Sequence, residues 1–356
     1  MRIGVFNTAF VGDLVLLGRL IDALHRDGHE VVLFSNPAGC ALYKFDPRIF
    51  KTVAVHKGKG LRKIGMIRTI AAQIRAEKMD VLVLAHKSFT SGLLALLSGH
   101  RKIITFADAS FVSINTERRS VAHCRHESER YLELARGLVS EQSMAESELC
   151  ILGDANLTQF SRSFPDFFDA KNGEFFVCAP GSVWETKRYP AELLAPAIAR
   201  ILDQRPGFRC VISGGPSDAV AIDKVFAELR KSGLFSKIES RVIDARGCLP
   251  LPELIELIRR ASFVLTPDSA PLHIGSATKT RTFAFFGPTP HTTGLGPLAP
   301  ASEILDYRSV VGRSLDCQPC SKHGHRACPL GHHSCLADLP PDAVASRVLE
   351  SLRTSN

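Results

Sequence analysis

Short apolar runs alternate with amphipathic segments along the first part of the chain. The apolar runs predict buried strands at residues 2–6, 31–35, 53–56, 81–85 and 102–106. Between them, residues 14–26 and 61–78 place Leu, Ile and Ala at the three- and four-residue spacing of a helix with one buried face. This alternation is typical of an open parallel sheet with helices on both faces.

The alternation stops over residues 151–173, which are polar and rich in turn-forming residues, and then starts again. Further strands are predicted at residues 175–178, 210–213, 242–244, 263–265 and 282–285. We therefore predict an α/β protein of two doubly wound, Rossmann-like domains that face each other across a cleft. Their predicted bounds are residues 1–165 and 166–335, with a C-terminal helix in residues 336–356.

Composition excludes several other classes of protein. The 356 residues are 45% hydrophobic and 22% charged, as in an ordinary soluble globular protein. The longest apolar stretches are far shorter than the roughly 18 residues that cross a bilayer. The N-terminal residues predict a first strand and not an export signal, so we expect a cytoplasmic protein whose ten cysteines are mostly small buried residues.

The net charge of +8 is concentrated in the first part of the chain and is densest over residues 57–63. Such a run is typical of a solvated face, and it also suits an anionic acceptor or a surface of acidic lipid. We assign acceptor binding to its cations, Lys57, Lys59, Arg62 and Lys63. We predict no nucleic-acid partner, because few aromatic residues and no recognition motif accompany the charge.

Three turns rich in small residues follow strands of the second predicted domain. The first contains Ser182, Thr186 and Lys187, the second is Ser213-Gly-Gly-Pro-Ser-Asp218, and the third runs from Asp268 into a short helix. Each turn alone is typical of a plain strand-to-helix connection. Open α/β sheets bind ligands at the carboxyl ends of their strands, and helix N-termini bind phosphate. Together the turns predict a site for a nucleoside diphosphate.

Asp13 follows the first predicted strand, near the start of the first helix. One interpretation is that this carboxylate only stabilises the helix through its interaction with the helix dipole, by roughly 0.3–1 kcal/mol. In a sugar transferase it can instead be the general base that takes the proton from the acceptor hydroxyl. Lys187 and the helix N-terminus near Ser269 would then stabilise the leaving nucleoside diphosphate without a metal.

Four cysteines near the C-terminal end follow the spacing C-x2-C-x7-C-x6-C among several histidines: Cys317, Cys320, Cys328 and Cys335. A cysteine pair separated by two residues can chelate one ion from a tight turn, so a structural metal is a candidate. Redox-labile thiols or a disulfide, and simple buried cysteines, are the alternatives.

These motifs together resemble a known family. The segments that carry the resemblance are Gly12-Asp13, Lys187-Arg-Tyr-Pro190, Asp268-Ser-Ala-Pro-Leu-His273, Phe286-Gly-Pro-Thr-Pro290 and the cysteine-rich tail. They look like the bacterial lipopolysaccharide heptosyltransferases of glycosyltransferase family nine, and the tail is similar to the heptosyltransferase II branch. The resemblance covers nearly the whole chain in order.

The resemblance implies a GT-B fold, with ADP-heptose held by the second domain. A lipid-anchored inner-core oligosaccharide would be held by the first domain, at the inner membrane surface. It also implies transfer of heptose with inversion and without a metal. Asp13 takes the place of the general base.

On the donor side the resemblance assigns these residues: Ser182, Thr186, Lys187, Asp268, Ser269, Ala270 and His273. Within that set, Lys187 meets the phosphates with the two hydroxyls near it, and Asp268 lies near the sugar hydroxyls. The backbone N–H groups of Ser269 and Ala270 face the diphosphate. His273 either contacts the donor or holds its loop through a hydrogen bond.

Two other functions stay open. Departures from the family pattern at Leu17-Gly-Arg-Leu20 and Thr278-Lys-Thr-Arg-Thr282 allow a family member with another nucleotide-sugar or another surface-polysaccharide acceptor. A non-catalytic anion- or nucleotide-binding protein would explain the charge but not the paired strand-end motifs.

Overall fold

A computed structural model describes residues 1–56, 62–109, 116–153, 156–169 and 173–353. The chain divides into two compact units, Met1–Asp154 and Ala155–Asn356. The predicted domain boundary at residue 165 lies inside the second unit. Gln159 and Phe160, which precede this boundary, belong to the second unit because their backbone N–H groups donate hydrogen bonds to the Glu253 carboxylate at 3.0 and 2.9 Å.

The first unit contains a six-stranded parallel sheet. Strands β1 to β6 span Arg2–Asn7, Glu30–Ser35, Ile49–Ala54, Val81–Leu84, Ile103–Phe106 and Thr116–Arg119. Helices α1 to α7 span Val11–Leu16, Gly18–Arg26, Pro37–Leu42, Arg62–Ala76, Phe89–Ser98, Glu127–Glu133 and Glu141–Glu146. The strand order is β3-β2-β1-β4-β5-β6.

The core of this unit forms where helices cover the sheet. Strands β1 and β4 are almost entirely buried, as expected for parallel strands with helices on both faces. Helix α4 packs Ile67, Ile70 and Ile74 onto that sheet, in agreement with the predicted helical spacing. The N-terminus of α5 is capped by the Ser88 hydroxyl, and the helix ends at Gly99, whose φ of 64° favours glycine.

The structure differs locally from the predictions for the first unit. Residues 14–26 are not one helix, because α1 and α2 meet at Leu17. Gly18 opens α2 against the backbone of Cys150, where a Cβ atom would lie 2.4 Å from the carbonyl oxygen. Strand β6 was not predicted, because its sequence Thr-Glu-Arg-Arg has no apolar residue and lies at the edge of the sheet.

The second unit repeats this plan. Strands β7 to β12 span Glu174–Cys178, Phe208–Ile212, Val242–Asp244, Phe263–Pro267, Thr282–Phe285 and Glu303–Leu305. Helices α8 to α16 span Thr158–Ser163, Ala191–Gln204, Ala219–Lys231, Phe235–Ile238, Leu251–Arg260, Ala270–Thr278, Tyr307–Val311, Ser334–Ala337 and Pro341–Arg353. The strand order is β12-β11-β10-β7-β8-β9, and all pairs are parallel.

Each sheet has one point at which the strand order reverses. The first unit builds outward from β1 through β2 and β3 and then returns to place β4 on the other side of β1. The second unit does the same with β7 and β10. This is the order of doubly wound nucleotide-binding sheets, so the prediction of two Rossmann-like domains is confirmed. Ligands bind in such sheets beyond the carboxyl ends of the two strands that flank the reversal.

Among the helices of the described residues, none has both the length and the apolar character needed to span a lipid bilayer. Helix α16, which lies within the predicted C-terminal helical segment, packs against α9 through Val344, Val348 and Leu349. It therefore belongs to the core of the second unit.

Candidate active site

In the first unit, a pocket of about 530 Å³ opens at the carboxyl ends of β1 and β4. Its polar and charged lining comes from Asp13, Asn36, His86, Lys87 and Glu127, among other residues. The pocket therefore lies at the reversal of the strand order, and it holds carboxylates together with a cation.

Hydrogen bonds fix the wall of this pocket. The buried Asn7 side chain donates to the carbonyl of Ala85 at 3.0 Å and accepts from the N–H of Ala9 at 2.9 Å. The Thr8 hydroxyl lies 3.1 Å from His86 Nδ1. The loop after β1 is thus tied to the end of β4, which gives the pocket a rigid base.

Asp13 is half-buried in the first turn of α1 and contributes to this pocket. Burial raises the pKa of Tyr131 well above its usual value, and the negative charge of Asp13 raises it further. Tyr131 therefore stays a neutral phenol beside the carboxylate. Asp13 thus lines the pocket, and its role as the general base stays a prediction.

Sequence reasoning missed His86, Lys87 and Glu127. A signal was available for the first two, since they directly follow a predicted strand, as the donor turns do in the second domain. The Lys87 ammonium lies 2.9 Å from an Asp108 carboxylate oxygen and 4.6 Å from the centre of the Phe106 ring. Lys87 thus supplies a positive charge to the lining of the pocket.

The side chains of the four cations predicted to bind the acceptor all lie outside the described part of the structure. Lys57 and Lys59 lie outside the described residues, and Arg62 and Lys63 begin α4 with side chains that are also outside them. Their assignment to acceptor binding stays a prediction.

In the second unit, a buried ion pair joins two of the predicted donor residues. Lys187 Nζ lies 2.6 Å from Asp268 Oδ2, with side chains 11% and 4% exposed. The Thr289 hydroxyl donates to the same oxygen at 2.8 Å. Charge-assisted hydrogen bonds of this kind offset the cost of burying the carboxylate. Lys187 follows β7 and Asp268 follows β10, so the pair lies at the reversal of the strand order.

The first turn also meets the second. A Cβ atom on Gly181 would lie 2.2 Å from Asp218 Oδ1, so only glycine allows the turn after β7 to approach this carboxylate. Asp218 Oδ2 in turn accepts the backbone N–H of Gly215 at 3.0 Å. The three predicted turns therefore form one continuous surface at the strand ends.

Thr186 and Ser182 are both buried and make hydrogen bonds within the unit. The Thr186 hydroxyl accepts from the backbone N–H of His325 at 2.8 Å and donates to the carbonyl of the same residue at 2.9 Å. Ser182 is buried, and its carbonyl accepts from the Arg188 guanidinium at 2.9 Å. The Thr186 hydroxyl thus binds the C-terminal tail, while the role predicted for it at the donor phosphates stays a prediction.

The third turn leads into α13. Ser269 precedes this helix with an extended backbone, and its hydroxyl lies 3.2 Å from that of Thr266. Ala270 begins the helix, and Pro271, which has no N–H, follows it. His273 is buried in the first turns of α13. The N–H groups of Ser269 and Ala270 are therefore placed at a helix N-terminus, as predicted for phosphate binding.

The four tail cysteines line one small cavity of about 30 Å³, together with His325, His332 and His333. Burial, together with the smaller effect of the other three thiols, raises the pKa of Cys335 to about 12. Partial burial acts to raise the pKa of Cys328 as well, but hydrogen bonds from four backbone N–H groups outweigh it and lower the pKa below its usual value.

The ten cysteines are all free thiols in the structure. The expectation that most are buried is wrong, since only Cys178, Cys210 and Cys335 are. Three possible metal ligands of the described chain, His123, Cys124 and Glu133, come within 4.8 Å of one another. The Glu133 carboxylate already pairs with the Arg136 guanidinium, so a cation there would have to displace Arg136.

Two Rossmann-like domains, one with a carboxylate-lined pocket and one with a buried Lys–Asp pair at a helix N-terminus, are the parts expected of a protein with the GT-B fold. The profile of Glycosyltransferase family 9 (heptosyltransferase) matches residues 67–329, and the chain belongs to this family. The predicted family and the predicted enzyme class are confirmed.

Proteins of similar sequence are named as heptosyltransferases. Lipopolysaccharide heptosyltransferase 2 of Escherichia coli K12 is 23% identical over 368 residues, with 99% of this chain and 97% of that protein covered. Lipooligosaccharide heptosyltransferase 2 of Campylobacter jejuni (strain NCTC 11168) is 32% identical over 103 residues. That second match spans 29% of this chain and 30% of the length of the relative.

Solved structures share the fold. The ADP-heptose lipopolysaccharide heptosyltransferase II of E. coli has a TM-score of 0.76 at 18% identity, with 99% of both chains covered. The E. coli heptosyltransferase WaaC with ADP has a TM-score of 0.70 at 17% identity, with 99% of this chain and 100% of that chain covered. At these identities the comparison establishes the GT-B fold alone.

Proposed function

We propose that this chain is an inverting transferase that moves heptose from ADP-heptose to the inner core of lipopolysaccharide, with Asp13 as the general base. The observation that carries the proposal is the pair of sites at the two strand-order reversals, a carboxylate pocket in one unit and the Lys187–Asp268 pair in the other. The names of the full-length relatives and the ADP in a protein of the same fold support the choice of donor and acceptor.

On the donor side, Lys187 is the cation for the diphosphate. An ammonium group has three N–H donors, and Asp268 takes one of them, so others are left for phosphate oxygens. The helix N-terminus at Ser269 and Ala270 adds backbone N–H donors. Negative charge that builds up on the leaving ADP is thereby stabilised without a metal. Asp268, held in place by Lys187, then accepts hydrogen bonds from the donor sugar.

On the acceptor side, Asp13 removes the proton from the attacking hydroxyl. The acceptor oxygen forms a bond to the anomeric carbon as the bond to ADP breaks on the opposite face, which inverts the configuration. A positioned base of this kind contributes roughly 10²- to 10⁴-fold to the rate. Lys87, together with the predicted cations Lys57, Lys59, Arg62 and Lys63, would attract an anionic acceptor.

We further propose that the acceptor is a lipid-anchored oligosaccharide met at the inner membrane surface, with the enzyme cytoplasmic and peripheral to that membrane. The net charge of +8 supports this, because clustered cations are attracted to anionic headgroups and phosphorylated sugars. A structural metal in the tail is a separate proposal, and the transfer step itself requires no metal.

Asp13→Asn tests the general base, because the amide keeps the shape of the side chain but cannot take the proton. We expect kcat to fall by about 100-fold or more, with the affinity for ADP unchanged. Asp80→Asn is the matched control, since Asp80 is exposed and precedes β4 at the strand end opposite the pocket. A kcat within twofold of the wild type in Asp13→Asn would show that another group is the base.

The donor is tested by offering ADP-heptose beside other nucleotide-sugars, each with a Kdo-bearing acceptor. We expect turnover with ADP-heptose. Turnover only with another nucleotide-sugar would favour a family member of different specificity, and ADP binding without any turnover would favour a non-catalytic nucleotide-binding protein.

A further inference from the structure

The tail loop, residues 313–333, connects α14 to α15 without a helix or strand of its own. Ordering a segment costs about 1–2 kcal/mol per residue in backbone entropy, so a long irregular segment inside a compact unit needs strong local contacts. Most of its side chains are exposed or half-buried. Hydrophobic burial within the loop is therefore a weak source of its order.

The loop instead concentrates thiols around one cavity. Cys317 and Cys320 approach the cavity from the start of the loop, Cys328 from its second half, and Cys335 from α15. The cavity volume of about 30 Å³ is the size of one water molecule or one ion. Four soft ligands from three parts of the chain thus line one small cavity.

We propose that Cys317, Cys320, Cys328 and Cys335 bind one thiophilic divalent ion, Zn²⁺ or Fe²⁺, and that this ion positions Lys187 and Thr289 at the donor site. On binding, the thiols release their protons to water and four sulfur–metal bonds form. Among the described residues, no three of these sulfurs lie within 4.8 Å of one another, so the proposal requires them to move closer together when the ion binds.

One edge of the loop holds the residue before Lys187. Thr186 exchanges two hydrogen bonds with the backbone of His325, and His333 Nε2 lies 2.8 Å from the Thr186 carbonyl. Gly324 packs on the same segment, since a Cβ atom there would lie 3.2 Å from Lys187 Cε. Movement of the loop therefore moves the lysine.

The other edge of the loop holds the residue before Thr289. The N–H groups of Cys320 and Ser321 both donate to the carbonyl of Pro288 at 3.0 Å. Among the described residues, the side chains of Thr289 and Lys187 bind the Asp268 carboxylate. An ion in the loop would thus fix both partners of Asp268 at once, which makes the cysteines positioning residues.

The binding of one ion by the four cysteines does not depend on the proposed function. The positioning of Lys187 and Thr289 at the donor site rests on the proposed function. The full chain, purified without chelator, should contain about one zinc or iron per molecule by elemental analysis, which also distinguishes the two metals. The Cys317→Ser/Cys320→Ser variant should lose the ion. Cys248→Ser, at a half-buried cysteine outside the loop, should keep it.

The positioning of Lys187 and Thr289 by the ion is tested by measuring the affinity for ADP by calorimetry, which does not depend on turnover. We expect the Kd to rise by about tenfold in the double variant, the lower end of what loss of metal-supporting residues costs, and to stay unchanged in Cys248→Ser. If the variant does not fold, chelator treatment of the wild-type protein replaces it, with thermal stability and thiol titration as readouts.

Zinc and iron both far below one per chain would overturn the metal site, and so would a disulfide between tail cysteines found by mass spectrometry. Loss of the ion with unchanged ADP affinity would overturn the positioning role. A failure of the proposed transfer reaction would appear separately, as normal metal content and ADP binding without turnover.

Discussion

Replacing Lys187 by Met tests the buried ion pair most directly. The substitution keeps the length of the side chain but leaves the Asp268 carboxylate, only 4% exposed, with Thr289 as its remaining partner among the side-chain hydrogen bonds described. Removing one partner of a buried pair costs about 3–5 kcal/mol, because the other charge stays buried without compensation. We expect Lys187→Met to lower the free energy of unfolding of the second unit by about that amount.

The assay can be specific for this unit. Trp184 is the single tryptophan of the chain and lies three residues before Lys187, so its fluorescence during urea denaturation reports on the second unit. The control is Lys231→Met, which removes a surface pair with Glu228 whose side chains are 69% and 28% exposed. Exposed pairs contribute about 0–1 kcal/mol, so this control should be nearly neutral.

A double variant separates charge from packing. Lys187→Met with Asp268→Leu removes both charges, so stability should recover in part while ADP binding does not, because the cation for the phosphates is still missing. If Lys187→Met were no less stable than Lys231→Met, the ion pair at 2.6 Å would not contribute as the structure indicates.

Two more predictions follow from local geometry and charge. Gly181→Ala should disrupt the turn after β7 and weaken ADP binding, because its Cβ would lie 2.2 Å from Asp218 Oδ1. The control Gly233→Ala, with nothing within 4 Å of the new atom, should bind ADP as the wild type does. Equal ADP affinities of the two variants in calorimetry would contradict this prediction. Burial acts to raise the pKa of Asp22, but the hydrogen bond from Arg26 and the other contacts lower it below 3.8. Its contribution to stability is therefore complete above about pH 4 and lost as the pH falls below that value, and acid denaturation of the wild type and Asp22→Asn should converge only in that range.

Much of the secondary structure could be predicted because central parallel strands are continuous apolar runs. Strands β1, β4, β7 and β10 follow this rule, and each was found within a residue or two of its bounds. Strands β6 and β12 were missed. An edge strand is exposed on one side and short, so its sequence carries no apolar run that separates it from a loop.

The types of residue at the donor site could also be predicted, since a turn that carries Lys187 and another that carries Asp268 both follow strands. That these two side chains bind each other could not. They are 81 residues apart in sequence and meet because β10 pairs with β7, which depends on the strand order of the sheet.

The sequence by itself determined the two doubly wound domains, the family and the chemical groups available to each turn, because hydrophobic periodicity and motif spacing are local properties. Only the tertiary structure decided which groups meet: it turned the Thr186 hydroxyl toward the tail, joined Lys187 to Asp268, and gathered four cysteines around one cavity. Those contacts link residues far apart along the chain. Their formation depends on how strands, loops and tail pack together, which no local pattern records.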